Sequence, residues 1–149
     1  MPSEQLHAPL ESGLGHLLKH IQRRLVRASA EALAPFGIDG QELAALAVLA
    51  AGHPFSQVEV AGRLGVDRTT MAVLVDGLED HGLVERRRSA QDRRKNIVQL
   101  TAEGRACLHR AERARHEMER RFLAPLGEEG ASSLLRSLRA LVTDPPVTA

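Results

Sequence analysis

The chain has 149 residues, of which 43% are hydrophobic and 26% are charged. This composition is typical of a globular protein, and the length predicts a single domain over residues 1–149. No apolar segment approaches the ~20 residues that a membrane-spanning helix needs, so no membrane partner is expected. One cysteine excludes an intramolecular disulfide, and residues 1–5 carry no secretory signal pattern. We therefore expect a cytoplasmic protein.

The net charge of +1 conceals an uneven distribution of charged residues. Residues 85–95 contain six arginines and lysines against two acids, a local charge of +4. Alone, such a segment is most often a solvated charged loop. In a nearly neutral chain, however, one concentrated basic segment also suits a surface that contacts a few phosphates.

The first third of the chain predicts two helices. Apolar residues recur at spacings of three and four from Leu10 to Ala28, which is typical of a long amphipathic helix. Pro35 marks the end of this helix. A second helix is predicted from an N-cap at Asp39 to about Ala51.

Two shorter helices are predicted next. Ser56 followed by Glu59 has the spacing of a capping box, which predicts the start of a third helix that ends near Leu64. Asp67 is a suitable N-cap for a fourth helix, which ends near His81. Its inward face is predicted to consist of apolar residues at helical spacing, namely Met71, Leu74, Val75 and Leu78.

A basic β-hairpin follows the fourth helix. One strand is predicted from residue 83 to residue 88, turn residues occupy 89–92, and a second strand returns over 96–100. Thr101 is then predicted to cap a fifth helix, and a sixth helix is expected to end at Asp144.

This order of elements predicts a mainly α fold with a small β-hairpin wing, the winged helix-turn-helix. Residues 39–100 would form the DNA-binding region, since such a fold places one helix in the major groove and a positive loop beside it. Residues 8–36 and 101–142 carry more apolar surface than a lone winged helix can cover. We therefore expect these terminal helices to dimerise two copies of the chain.

Several ordered motifs resemble the MarR family of bacterial transcriptional regulators over about residues 10–142. The motifs are Gly-Val-Asp-Arg-Thr-Thr at 65–70, Leu-Val-Asp-Gly-Leu-Glu at 74–79, His-Gly-Leu-Val at 81–84, Asp-Arg-Arg at 92–94 and Leu-Thr-x-x-Gly at 100–104. The resemblance implies a homodimeric regulator, most often a repressor, that binds a pseudo-palindromic operator in double-stranded DNA. It also implies release by a small-molecule effector such as an aromatic acid or a phenol.

The same resemblance assigns roles to individual residues. Residues 67–80 would be the recognition helix and 85–96 the wing, with Arg94 in the minor groove and Asp92 holding the wing arginines in shape. Many family members have an arginine where this chain has Val73, so base readout is expected to depend more on the wing and on DNA shape. The candidate DNA-binding residues are Ser56, Gln57, Arg63, Asp67, Arg68, Thr69, Thr70, Val73, Arg86, Arg88, Asp92, Arg93, Arg94 and Lys95.

A second candidate site lies on the first helix. In MarR-like dimers the effector cleft lies between the first, second and fifth helices, so His16, Lys19, His20 or Arg23 could bind a carboxylate or phenolate there. His16 and His20 also have the i, i+4 spacing of paired metal ligands, but no third ligand is near them in sequence. A metal-responsive regulator and a ligand-independent regulator are the alternatives.

Enzyme chemistry finds no support in the sequence. The chain has no Gly-rich phosphate loop after a strand, no nucleophile elbow and no His-Glu-x-x-His motif. We therefore predict neither an enzyme nor a cofactor, and we expect Cys107 to be a buried, unreactive thiol.

Overall fold

The computed structural model describes residues 13–52 and 54–143. It confirms the mainly α architecture with a small antiparallel sheet. Leu10, where the predicted first helix begins, and Asp144, where the last one ends, lie outside the described residues. The elements are α1 (Leu14–Leu33) with a 3-10 extension (Ala34–Phe36), α2 (Gly40–Leu49), β1 (Phe55–Ser56), α3 (Gln57–Leu64), α4 (Arg68–Asp80), β2 (Val84–Arg88), β3 (Asn96–Leu100), α5 (Ala102–Leu123) with a 3-10 extension (Ala124–Leu126), and α6 (Gly127–Thr143).

The predicted N-caps are confirmed at four helices. The side chains of Asp39, Asp67 and Thr101 each accept a hydrogen bond from the backbone N–H three residues later, at 2.8, 2.7 and 2.9 Å. Ser56 accepts the equivalent bond at 3.2 Å, but its hydroxyl also donates to the Glu59 carboxylate. The reciprocal capping box forms at Asp39 instead.

The wing belongs to a three-stranded sheet of order β1-β3-β2, whereas the sequence predicts only the β2-β3 hairpin. The additional strand β1 is two residues long and pairs Phe55 with Val98. Two residues are too few to show the alternation by which strands are recognised in a sequence. This strand joins the start of α3 directly to the wing.

One apolar core lies beneath α2, α3, α4 and the sheet. Its most deeply buried large side chains include Leu46, Phe55, Met71, Leu78 and Val98. The first turns of α5 close this core through Cys107 and Ala111, and burial raises the pKa of the Cys107 thiol. The thiol is therefore held in its protonated, less nucleophilic form.

The start of α5 contacts the backbone that follows α4. The Thr101 hydroxyl donates to the Gly82 carbonyl at 2.6 Å, and the Thr101 N–H donates to the Leu83 carbonyl at 3.1 Å. A Cβ added at Gly104 would overlap the carbonyl group of Leu83. Glycine is required at this position because the two backbones touch.

The terminal helices differ from this centre. Leu33 is the only buried residue of α1, and α6 has none. Among the described residues, no single helix has both the length and the apolar content to span a bilayer, and only the pair Leu14–Phe36 and Gly40–Leu49, bent by 67°, meets those criteria together. Exposed apolar side chains on the terminal helices are Leu14, Leu17, Leu18, Ile21 and Val26 on α1, and Leu134, Leu135, Leu138, Leu141 and Val142 on α6.

Candidate nucleic-acid interface

The helix α4 has one buried and one exposed face. The four apolar residues predicted to point inward are all buried, which confirms the orientation of the helix. The exposed face begins with Arg68, Thr69 and Thr70 and continues at Val73, whose side chain is 67% exposed. The methyl groups of Val73 therefore lie on the solvent-facing side of α4, beside the two threonines.

Asp67 lies directly before α4 and serves as its cap. The backbone N–H of Thr70 donates to the Asp67 carboxylate, and this bond holds the pKa of Asp67 below its usual value. The negative charge faces the positive end of the helix dipole. The structure thus confirms Asp67 as the predicted cap, and its contact with DNA stays a prediction.

The tip of the wing is closed by its own hydrogen bonds. The Ser89 N–H donates to the Lys95 carbonyl at 2.9 Å, and the Lys95 N–H donates to the Asp92 carbonyl at 3.0 Å. The Asp92 carboxylate accepts the Arg94 N–H at 3.0 Å and lies 3.7 Å from Arg94 Nε. Asp92 therefore orders the backbone that carries the wing cations.

The start of α4 and the wing face a common cleft. Arg68, Arg94 and Lys95 line an open cavity of about 550 Å³ whose other wall is the start of α3. The side chain of Arg94 is 95% exposed. Positive charge from two separate elements thus converges beside the exposed face of α4.

Most of the predicted cations on this surface are free of acidic partners. Within residues 13–52 and 54–143, the side chains of Arg68, Arg88, Arg93 and Lys95 form no ion pair. All four residues are exposed. Uncompensated cations that face solvent are what a phosphate backbone requires.

Three of the predicted DNA contacts already have hydrogen-bond partners within the chain. Ser56 is only 3% exposed, and its hydroxyl is bonded within the α3 cap. The Gln57 amide oxygen accepts a hydrogen bond from Arg86 Nε at 3.2 Å. Arg86 is 20% exposed, and its Nη1 lies 2.6 Å from an oxygen of Asp76. Each of these three side chains thus has a partner inside the chain, and its contact with DNA stays a prediction.

The sequence reasoning missed the two acidic partners on α4. Asp76 and Glu79 are three residues apart, so they share one flank of the helix and both reach Arg86. Two acids at this spacing on a helix, followed within ten residues by an arginine on a strand, could have indicated this ion-pair cluster in the sequence.

Arg63, the remaining predicted DNA contact, is exposed at the end of α3. Its guanidinium lies 4.7 Å from the centre of the buried Phe55 ring, at the distance of a cation–π interaction. The ring holds the guanidinium against the sheet and leaves its edges open to solvent.

The four predicted effector residues, His16, Lys19, His20 and Arg23, are exposed on the first turns of α1. The His16 and His20 rings stack with centroids 6.4 Å apart. In the described part of the chain, no group of three or more His, Cys, Asp and Glu side chains is placed to hold a metal ion. A cavity of about 540 Å³ lies further along, between α1 and α5, and its wall includes Ala28, Glu31, Met118 and Phe122.

Comparisons with known proteins agree with this geometry. The MarR family model matches residues 36–95. The HTH-type transcriptional repressor Rv2887 of Mycobacterium tuberculosis is 31% identical over 134 residues, which are 90% of this chain and 96% of the relative. The structure is also similar to the transcriptional repressor CouR bound to a 23-mer DNA duplex, with 34% identity and a TM-score of 0.82 over 89% of this chain and 94% of CouR.

The structure of CouR bound to p-coumaroyl-CoA resembles this chain about as closely as the DNA-bound structure does. Its TM-score is 0.81 at 31% identity, over 91% of this chain and 96% of CouR. Fold, motifs and whole-length relatives agree. This chain belongs to the MarR family of winged helix-turn-helix transcriptional regulators.

Proposed function

We propose that the protein is a homodimeric repressor that binds a pseudo-palindromic operator. The exposed face of α4 enters the major groove, and the tip of the wing enters the adjacent minor groove. The observation that carries this proposal is the cleft lined by three cations, Arg68, Arg94 and Lys95, against two acids, Glu59 and Asp92. Of the three cations, only Arg94 lies within ion-pair distance of any acid that the structure describes. The negative potential of a narrow minor groove favours an arginine as exposed as Arg94.

Base reading by α4 depends on small side chains. Thr69 and Thr70 offer hydroxyl groups, and Val73 offers methyl groups that suit the methyl of thymine. No arginine stands at position 73 to bond guanine through two hydrogen bonds, a contact worth about 1–3 kcal/mol of discrimination. We therefore expect the wing and the deformability of the DNA to contribute much of the specificity.

The exposed apolar faces of α1 and α6 support the dimer. Leu141 and Leu14 are both 67% exposed in the single chain, and their neighbours on the same helices are also exposed. A contiguous apolar surface at both ends of a chain is best covered by the same surface of a second copy. A dimer also supplies the second reading head that a palindromic site needs.

A small aromatic or phenolic effector is proposed to release the operator. CouR, whose structure is similar to that of this chain, binds p-coumaroyl-CoA. His16, Lys19, His20 and Arg23 place cationic and hydrogen-bonding groups on α1, where a carboxylate or phenolate would be attracted. Release follows if the effector prefers a dimer conformation whose two α4 helices no longer match successive grooves.

Selection of bound fragments from random double-stranded DNA tests the proposal. We expect enrichment of a pseudo-palindrome whose half-sites are about one helical turn, ~34 Å, apart. Repeating the selection with a panel of aromatic acids and acyl-CoA esters should identify a compound that abolishes enrichment. A monomeric protein, or equal affinity for all duplexes at low salt, would contradict the proposal.

A further inference from the structure

The side chain of Arg86 connects three elements of the reading head. Its Nε donates to Gln57 on α3 at 3.2 Å, and its Nη2 donates to the Ala72 carbonyl on α4 at 3.3 Å. Its Nη1 contacts Asp76 at 2.6 Å and Glu79 at 3.4 Å. All three guanidinium nitrogens are therefore occupied within the chain.

The backbone of Arg86 strengthens the same connection. Its N–H donates to the second carboxylate oxygen of Glu79 at 3.1 Å. Ala72, Asp76 and Glu79 lie along one flank of α4 over about two turns, because residues three and four apart share a helix face. The arginine thus contacts α4 along much of its length rather than at one end.

The position of Arg86 follows from the alternation of strand β2. Val84 is buried, Arg86 is half-buried, and Arg87 between Arg86 and Arg88 is exposed on the other side. Side chains two residues apart lie on the same face of a strand, so Arg86 continues the core-facing side at the point where α4 covers the sheet. Arg87 is 66% exposed, and its ion pair is with Glu85 on its own strand.

Charge also separates Arg86 from the other wing cations. Two carboxylates surround its guanidinium, so this cluster presents no net positive charge to a phosphate. A lysine cannot reproduce the arrangement, because one ammonium group cannot reach four partners that are distributed around a planar guanidinium.

We propose that Arg86 is a positioning residue for operator recognition, which fixes the angle between α4, α3 and the wing, and is not a phosphate ligand. The inference rests on the proposed function, because it concerns how the reading head is held against DNA. Loss of Arg86 would leave the wing charges in place and would misalign the exposed face of α4.

Operator and random duplex affinities across a range of salt concentrations distinguish the two roles. For Arg86→Gln we expect operator affinity to fall about 10- to 100-fold, the value of one or two base contacts, while random-duplex affinity and the salt dependence stay near those of the native protein. Arg87→Gln removes the same charge one residue away, and we expect it to preserve the ratio of the two affinities. If Arg86→Gln loses affinity equally for operator and random duplex, and its salt slope falls by about 0.9 per protomer, Arg86 is a phosphate ligand and the proposal is overturned. Unchanged affinity for the operator would also overturn it.

A second variant, Asp76→Asn, distinguishes the loss of a partner of Arg86 from a simple change of charge. Asp76 is 62% exposed, so Asp76→Asn changes its charge without altering the core. Removing an acid beside DNA should strengthen binding if charge alone matters, whereas loss of an Arg86 partner should weaken operator preference. Tighter operator binding by Asp76→Asn would count against the positioning role. Arg86→Lys should behave like Arg86→Gln.

Hydrogen exchange in the protein without DNA tests the role of Arg86 independently of the proposed function. We expect the amides of residues 72–80 to exchange about tenfold faster in Arg86→Gln than in the native protein, because charged hydrogen bonds to that segment are lost. Unchanged exchange there would overturn the inference even if operator binding is found. A native protein that prefers no duplex would refute the proposed function while this measurement still tests Arg86.

Discussion

The winged-helix centre, from α2 to β3 with the first turns of α5, buries most of its apolar residues within one chain, whereas α1 and α6 leave most of theirs exposed. Both regions show the same three- and four-residue spacing in the sequence. In the centre, the apolar face of α4 packs on its own sheet and helices. On α6, no residue of an equally periodic face is buried by the part of the chain that the structure describes. Periodicity therefore identifies an apolar face but does not identify what covers it.

A charge placed in the apolar face of α6 is expected to have the largest effect on this contrast. Leu138→Arg would bury an unpaired charge in the proposed homodimer, at a cost of about 3–5 kcal/mol. Analytical ultracentrifugation should then show dissociation, while circular dichroism shows that the centre keeps its fold. Val58 on α3 is also exposed, at 52%, and Val58→Arg should leave the association unchanged. If both variants remain dimers, the apolar face of α6 is not the interface.

Gly104→Ala tests the packing of α5 within the centre. The added methyl group would overlap the Leu83 carbonyl and force α5 away from the end of α4. Such overpacking costs about 1–3 kcal/mol, so the midpoint of urea unfolding should fall. Native-like stability would show that the contact between these backbones is looser than described.

Arg94→Ala probes the centre through DNA binding. The change removes an exposed wing cation, and we expect operator affinity to fall about tenfold, with a salt slope reduced by about 0.9 for each protomer. Arg120 on α5 is also exposed, so Arg120→Ala makes the same change in net charge outside the wing. Fluorescence anisotropy at several salt concentrations gives both quantities. Equal slopes for the two variants would contradict the assignment of the wing to DNA.

Gly77→Ala should give the smallest effect, and of opposite sign to Gly104→Ala. Gly77 lies inside α4, and an added Cβ would approach only the Glu42 carboxylate, at an ordinary 3.8 Å. Alanine is favoured over glycine within a helix by up to about 1 kcal/mol, so the midpoint of unfolding should rise slightly. A decrease would indicate that α4 needs the freedom of glycine at this position.

Local features of the fold could be predicted from the sequence. Asp39, Asp67 and Thr101 were recognisable as N-caps because a cap depends on residues only three positions apart. Strand β1 was not recognisable, because Phe55 and Ser56 pair with a strand more than forty residues later. Partners distant in sequence leave no local signal.

The candidate site divides in the same way. The exposed cations Arg68, Arg93 and Arg94 follow from motif and charge. The inward direction of Arg86 could not be predicted, because adjacent arginines on a strand look alike until the helix that covers one face is placed. The burial of Ser56 could not be predicted either, because Ser56 pairs with Ile97, which is distant in sequence.

The contact between Thr101 and the Gly82 carbonyl couples the movement of α5 to that of α4. The first turn of α5 is hydrogen-bonded to the segment that ends α4, and no side chain separates the two backbones at Gly104. A rigid-body tilt of α5 must therefore carry the C-terminal end of α4 with it. In the proposed dimer, a tilt of α5 in each protomer would therefore change the separation of the two recognition helices and alter their match to the DNA.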